Sequence, residues 1–450
     1  MGRVFAGCFF LAVSLSLAWP ENDPPGVLSG GPLVLTLDEA VRRALEENLD
    51  LKKRLIDLSA AGYAAKNLWA ELFPSITAGA GASYGTGLFS GNGFELDKSG
   101  LGYDLSAGLS LSLNAGLPQT MKIIKLAYQS RLLEYEDARR QLETVIAKNF
   151  YTLLTDRENL AHLEKTLELA ERQLERDRIA FNNGLKGELA LLQSRLGAET
   201  AKYRLSNART AYTAALGDFL ALLGIPQDRP AVLDGEIDIY PVDAEPEALI
   251  REYLPKRPDI LGWGQAIESL EYTARQNALE ARAPSLTLST RWSSQFEPFA
   301  DRVNGSVSVS IPIDSWVPGT RRDRALKTAA ANVEKARLDL KNAENEAASR
   351  IRSLAAGLKN SWAGIEIARL SVEIAERTYE LHEEGFRLGT VESLALEDTR
   401  NSLAEKRQQL LQSELAYQTM TLDLAAALNI DWKILGDITN APEASAGSER

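Results

Sequence analysis

The run Tyr103-Asp104-Leu105-Ser106-Ala107-Gly108-Leu109-Ser110-Leu111-Ser112-Leu113-Asn114 alternates apolar with small polar residues. Successive side chains of a strand point to opposite faces, so the run predicts one apolar and one polar face. The alternation holds for about eleven positions, the length a tilted strand needs to cross a bilayer. Residues 75–84 repeat it, with Ile76, Ala78, Ala80, Ala82 and Tyr84 against Thr77, Gly79, Gly81 and Ser83. So do 285–296, with Leu286, Leu288, Thr290 and Trp292 on one side, and 303–313, with Val303, Val307, Val309 and Ile311. Tyr84, Tyr103, Trp292 and Phe296 fall toward the loop ends, where an interfacial aromatic girdle is placed.

A soluble sheet with one wet face shows the same alternation. Four strands, however, are too few to bury these faces alone, and their edges invite association. A sheet in lipid must close, because open edges leave backbone groups unpaired. Oligomerisation achieves this: three chains supply twelve strands around a lumen lined by the small polar faces. The periodicity itself does not set the number of chains.

Outward from the strands lie helices. Residues 38–72 carry a cap signal at Thr36 and Asp38, then Ala40, Ala44, Leu45, Leu51, Leu55 and Leu58 at helical spacing. Residues 121–181 and 321–386 lack proline and are dense in Ala, Leu, Glu, Lys and Arg, which predicts helices of roughly 90 to 100 Å. Rods of that length need lateral partners. The incoming helix and the returning helix at 186–223 sum to about one long helix, so two shorter helices stacked end to end are expected beside each rod. Leu160, Leu163, Leu167 and Leu174, and Leu370, Ile374 and Leu381, form the expected seams.

The pattern occurs twice, about 205 residues apart. Phe73-Pro74-Ser75 is echoed by Ala283-Pro284-Ser285, Phe181–Gly184 by Phe386–Gly389, and Tyr212–Ile225 by Tyr417–Ile430. The expected organisation is mainly α with β, a duplicated helix-strand-strand-helix unit with copies at 19–225 and 259–430. A linker rich in Pro, Asp and Glu at 226–258, with short strands near Ile237–Tyr240, separates them. Residues 431–450 form a tail.

Residues Val4–Leu17, preceded by Arg3 and closed by small residues to Ala18, have the form of a secretory signal peptide at 1–18. Cys8, the single cysteine, belongs to that segment, so the expected mature chain has no thiol chemistry and no disulfide. A net charge of -12 argues against nucleic acid as a partner, and two histidines argue against a His-rich metal site. No catalytic constellation, cofactor motif or metal-ligand spacing is present, and close Glu pairs arise by chance in charge-rich helices. The expectation is no enzyme.

Read in order, these features resemble the TolC-like outer-membrane efflux protein family across nearly the whole mature chain. The best local matches are Leu37-Asp38-Glu39-Ala40 with Ala44-Leu45 and Asn48, then Arg257-Pro258-Asp259-Ile260, the Pro-Ser strand starts, and the aromatic-x-x-Gly turns. The resemblance implies a homotrimer in the outer membrane, a twelve-stranded β-barrel in lipid continuous with a long α-helical periplasmic barrel. It also implies an adaptor protein coupled to an inner-membrane pump or ABC exporter, hence a tripartite efflux or type I secretion system. The competing expectation is a periplasmic coiled-coil scaffold without pore activity, which leaves the alternating strands without purpose.

Gly184 and Gly389 close the long helices, where glycine tolerates left-handed geometry. By resemblance, Gly184, Leu185, Gly389, Thr390 and Val391 form the tip that meets the adaptor. Just beyond the turns, Glu188, Glu392, Glu397 and Asp398 concentrate negative charge. The resemblance makes Asp398 the carboxylate of an entrance constriction, with Ala395 standing where the family often has a second aspartate.

Overall fold

The computed structural model describes residues 33–84, 101–237, 239–242, 245–296, 299–432 and 435. The expected signal segment and the end of the tail lie outside them. A short strand, β1 (Leu33–Leu35), leads into α1 (Leu37–Glu47), whose first turn is capped by the Thr36 side chain accepting from the Glu39 amide. Asn48 then ends α1 and caps α2 (Leu49–Lys66), its side chain accepting from the Asp50 and Leu51 amides. The single helix expected over 38–72 is therefore two helices and a 3-10 turn at Leu68–Leu72, because the asparagine side chain competes with helical backbone bonding.

Strands β2 (Ser75–Tyr84) and β3 (Leu101–Leu113) follow, then α3 (Leu117–Asn182), 66 residues with proline in its first turn, and α4 (Glu188–Leu222). After β4 (Ala231–Leu233) and α5 (Pro246–Tyr253), the second half runs α6 (Pro258–Arg282), β5 (Ser285–Phe296), β6 (Phe299–Ser310), α7 (Arg321–Arg387), 67 residues, and α8 (Ser393–Leu428).

Helices α2 and α4 both pack on α3, and α6 and α8 both pack on α7. The halves meet through α3, which touches α6 near the sheet and α8 near the turns. The lateral order is thus α2-α3-α6-α7 toward the sheet and α4-α3-α8-α7 toward the turns. Of the expected seams, Leu167 and Leu174 do pack, against Ala170, Ala198 and Ala201. Leu370, Ile374 and Leu381 do not, and stand exposed.

Burial is deepest midway along the rods. Ile146, Phe150, Leu153 and Leu154 of α3 pack with Leu35, Ala40, Leu220 and Leu233, while Ile351, Leu358 and Ile365 of α7 pack with Leu249, Tyr417 and Leu424. Strands β1 and β4 pair in parallel within this belt. Among the described residues the short strand lies at Ala231–Leu233, and the expected stretch near Ile237–Tyr240 shows none. The Tyr417 hydroxyl donates to the Tyr240 carbonyl at 2.8 Å and accepts from the Val242 amide at 3.0 Å, so this stretch is fastened by a side chain and not by a ladder.

The main sheet is antiparallel in the order β2-β3-β5-β6. Its register puts Ala78, Ala107, Trp292 and Val303 in one row and Leu111, Leu288 and Val307 in another, an apolar face that turns polar toward the loop ends in the row of Ala80, Leu105, Ser294 and Asp301. The opposite rows include Ser110, Ser289 and Ser306, and Thr77, Gly108, Arg291 and Asn304. Strand β6 starts at Phe299, paired with Phe296, and stops at Ser310, whereas alternation placed it at 303–313. Pro312 has no amide to donate, which removes the expected end from the ladder.

Candidate functional site

The two helical hairpins turn at equivalent places. Gly184 has φ +72° and Gly389 φ +75°, and both occupy open space. The Leu185 amide donates to the Ala180 carbonyl at 2.8 Å and the Gly184 amide to Phe181 at 2.9 Å; Thr390 bonds Gly385 at 2.9 Å and Gly389 bonds Phe386 at 3.1 Å. This nested pair of bonds satisfies the last carbonyls of each long helix and requires a left-handed residue at its corner. Leu185 and Leu388 project at the tips with 78% and 73% of their surface exposed. Thr390 is exposed and Val391 half-buried.

Behind the first turn lies a polar cluster that sequence reasoning missed. Asp177 is buried, with a side chain only 4% exposed, and accepts from Lys186 and Ser194 and from Gln173 at 3.0 Å. Arg176 in turn donates to the Gln173 side-chain oxygen at 2.6 Å. Burial works to raise the Asp177 carboxyl, but the hydrogen bonds from Lys186, Ser194 and Gln173, with the Lys186 charge, hold it below its usual value. The equivalent positions in the second hairpin hold Thr378, His382, Val391 and Thr399. There His382 Nδ1 bonds the Thr378 carbonyl at 2.8 Å and Thr399 bonds Leu396 at 2.9 Å, so the bonds stay within one helix. The available signal was Gln173 and Asp177 one turn apart on a helix otherwise following a leucine stripe.

The four acidic residues share this end of the molecule but not one environment. Glu188 and Glu392 are exposed at the starts of α4 and α8. Asp398 is exposed, with no ion pair among the described residues. Glu397 is turned inward, its side chain 19% exposed, 3.9 Å from Arg400 and facing Gly197 of α4. Among the described residues no group of His, Cys, Asp and Glu could hold a metal ion, and no helix is long and apolar enough to cross a membrane.

The family profile for outer membrane efflux proteins matches residues 40–225 and 249–429, most of the chain and both halves. The chain belongs to the outer membrane efflux protein family. This is a family of channels and not of enzymes, and its members serve as exit ducts for efflux. Among solved structures, the Vibrio cholerae outer membrane protein VceC is 18% identical, with TM-score 0.68 over 88% of this chain and 96% of that one. The Campylobacter jejuni CmeC outer membrane channel is 18% identical, with TM-score 0.70 over 90% and 89%. The Neisseria gonorrhoeae MtrE outer membrane channel, in its open state, is 18% identical with TM-score 0.64 over 88% and 89%. These likenesses carry the fold: mainly helical, with strands. No curated protein matches in sequence.

Proposed function

We propose that this efflux protein works as a homotrimer whose twelve-stranded barrel sits in outer-membrane lipid and continues into a helical periplasmic tunnel. The observation that carries the reading is a pair of complementary open edges on every chain. In the sheet they are β2 and β6, antiparallel in sense, so β6 of one copy can continue onto β2 of the next. In the helical layer they are α4 and α7. Leu189, Leu192, Leu196 and Tyr203 on α4, and Ile367, Leu370, Ile374 and Leu381 on α7, stand exposed in two stripes of identical spacing, steps of three, four and seven. An interface of one edge against the other propagates head to tail and closes as a ring. Two copies give an eight-stranded barrel filled by its own side chains, so three is the smallest ring with a lumen.

The small Ser, Thr and Gly residues of the polar sheet face would line that lumen, and the exposed valines and Trp292 would meet lipid. The two halves are read as duplicated copies at 19–225 and 259–430, following a cleaved signal at 1–18. At the far end, Gly184, Leu185, Gly389, Thr390 and Val391 form the contact for a periplasmic adaptor joined to an inner-membrane pump or ABC exporter, in a tripartite efflux or type I secretion system. Leu185 and Leu388 support that contact as bare apolar knobs on ordered turns. Asp398, with Glu392 and Glu188, would ring the entrance, while Glu397 is turned inward, 3.9 Å from Arg400. The test is the mass and conductance of the purified protein in detergent and in planar bilayers. A trimer conducting single-channel current is expected; a monomer without current overturns the reading.

A further inference from the structure

Between α3, α7 and α8 lies a half-open cleft of about 460 Å³, within the size range of small-molecule sites. Its cationic lining is not neutralised from within. Glu376 is taken by Arg407 at 2.6 Å, and Glu380 by Arg377 at 2.9 Å. Arg400, whose side chain is 15% exposed, has only the distant Glu397 at 3.9 Å, and its Nε is buried with no hydrogen-bond acceptor. Lys165 has no ion pair among the described residues. Burial and the Arg407 charge push the His162 pKa down, so His162 adds no charge at neutral pH. The lining thus holds Lys165, Arg400 and Arg407 against Glu376 and Glu380, one positive charge in excess.

The same cleft has an apolar wall. Leu169 and Leu403 line it with Ala404, and the Tyr379 ring stands beside them. Burial and Glu383 push the Tyr379 hydroxyl up, which keeps it a hydrogen-bond donor. A buried guanidinium nitrogen without an acceptor is costly, and an anionic oxygen is the group that satisfies it most strongly. A ring closed through the exposed α7 stripe would leave the site uncovered on that helix. Glu376 and Tyr379 sit about 140 to 200° around α7 from Ile374, on the side away from the edge stripe, at about 100° per residue.

We infer that this cleft binds an organic monoanion with a flat apolar body, its carboxylate held by Arg400 and Lys165 and its ring laid against Leu169, Leu403 and Tyr379. Because Lys165 and Leu169 belong to the first half and Arg400 and Leu403 to the second, the bound anion ties the two hairpins together. The site needs one chain only, so its test is independent of the trimeric duct.

The experiment is titration calorimetry on the full chain in detergent with benzoate, benzamidine and inorganic sulfate as probes. Benzoate is expected to bind saturably, one per chain. Benzamidine, the cation of similar shape, should not bind, and sulfate should bind at least about tenfold more weakly for want of the apolar contact. Lys165→Met, at an exposed position, and Arg400→Gln should each weaken benzoate about tenfold or more. Absence of benzoate binding, or equal affinity in Lys165→Met with its fold intact by circular dichroism, overturns the site. Sulfate binding as tightly as benzoate overturns the ligand class.

Discussion

At the scale of single residues, the two hairpin turns differ in what stands behind them. A carboxylate as buried as Asp177 is tolerable only because Lys186, Ser194 and Gln173 supply donors, and removing a partner from a buried pair costs about 3 kcal/mol or more. Because Lys186 lies beyond the turn, that loss should appear locally. Asp177→Ala should accelerate amide exchange at Gly184 and Leu185 by about a hundredfold, leaving the α3 amides near Phe150 protected. The pH dependence follows from the lowered carboxyl: its stabilising contribution is complete above the unfolded value and is lost as pH falls through the lower folded value. Exchange protection at the first turn, corrected for intrinsic rate, should therefore persist through neutral and mildly acidic pH and fail only in strong acid. Failure near pH 6 would show that Asp177 is not the group holding the turn. Asp398 makes the opposite case: exposed and without an ion pair, it owes nothing to the fold. Repeated around a ring it should attract multivalent cations. Asp398→Asn should leave stability within about 0.5 kcal/mol and weaken their block of conductance from the periplasmic side. Neutralising Glu397 should add less, since that carboxylate faces Arg400.

Elements were far more legible than clusters. Alternation in residues 103–114 and the proline-free stretches of the rods are signals repeated over many positions, and the structure shows β3 and the two long helices there. The breaks were harder, because single side chains mark them: Asn48 divides the first helix, and Tyr417 bonds the backbone of Tyr240 and Val242. Asn48 acts within three residues but sits inside an apolar pattern that runs on past it, and Tyr417 lies 175 and 177 residues from the groups it bonds. The Asp177 cluster and the Arg400 cleft were invisible for the same reason, each joining residues from separate helices. The turns themselves were readable, since only a residue tolerant of positive φ ends both rods. Gly184→Val or Gly389→Val forces a β-branched residue into left-handed geometry at a cost of about 1 to 2 kcal/mol or more. Each should impair export in cells while the detergent-stable oligomer and its conductance persist. Gly187→Ala, at φ -79°, should have no such effect. Loss of the oligomer in the turn variants would place the turns in assembly and not in partner contact.

On the scale of the whole molecule, the exposed apolar stripes of α4 and α7 are explained only outside the chain. The leucine stripe expected as an internal seam on α7 stands exposed, apart from Ile374 at the edge of a groove shared with α8, and its counterpart on α4 is equally exposed, on the opposite flank of the helical layer. A seam shared between copies is still written as a heptad, so the sequence could not distinguish it from an internal one. Its head-to-tail character yields a prediction that a two-fold interface would not. Leu192→Glu with Leu196→Glu on α4 should give monomers, because unpaired charge buried in an apolar seam costs several kcal/mol. Leu370→Lys with Ile374→Lys on α7 should do the same. Mixing the two variants leaves one sound junction, sound α7 against sound α4, and brings the two altered stripes together as an acid-base pair. Mass measurement should accordingly show heterologous association in the mixture, and the four changes combined in one chain should recover closed rings through Glu-Lys pairing at every junction. A two-fold interface that pairs α4 with α4 predicts the contrary: the α7 variant oligomerises normally, and lysines on α7 never rescue the glutamates on α4. Either of those outcomes removes the head-to-tail ring, and with it the closed barrel that the four alternating strands require.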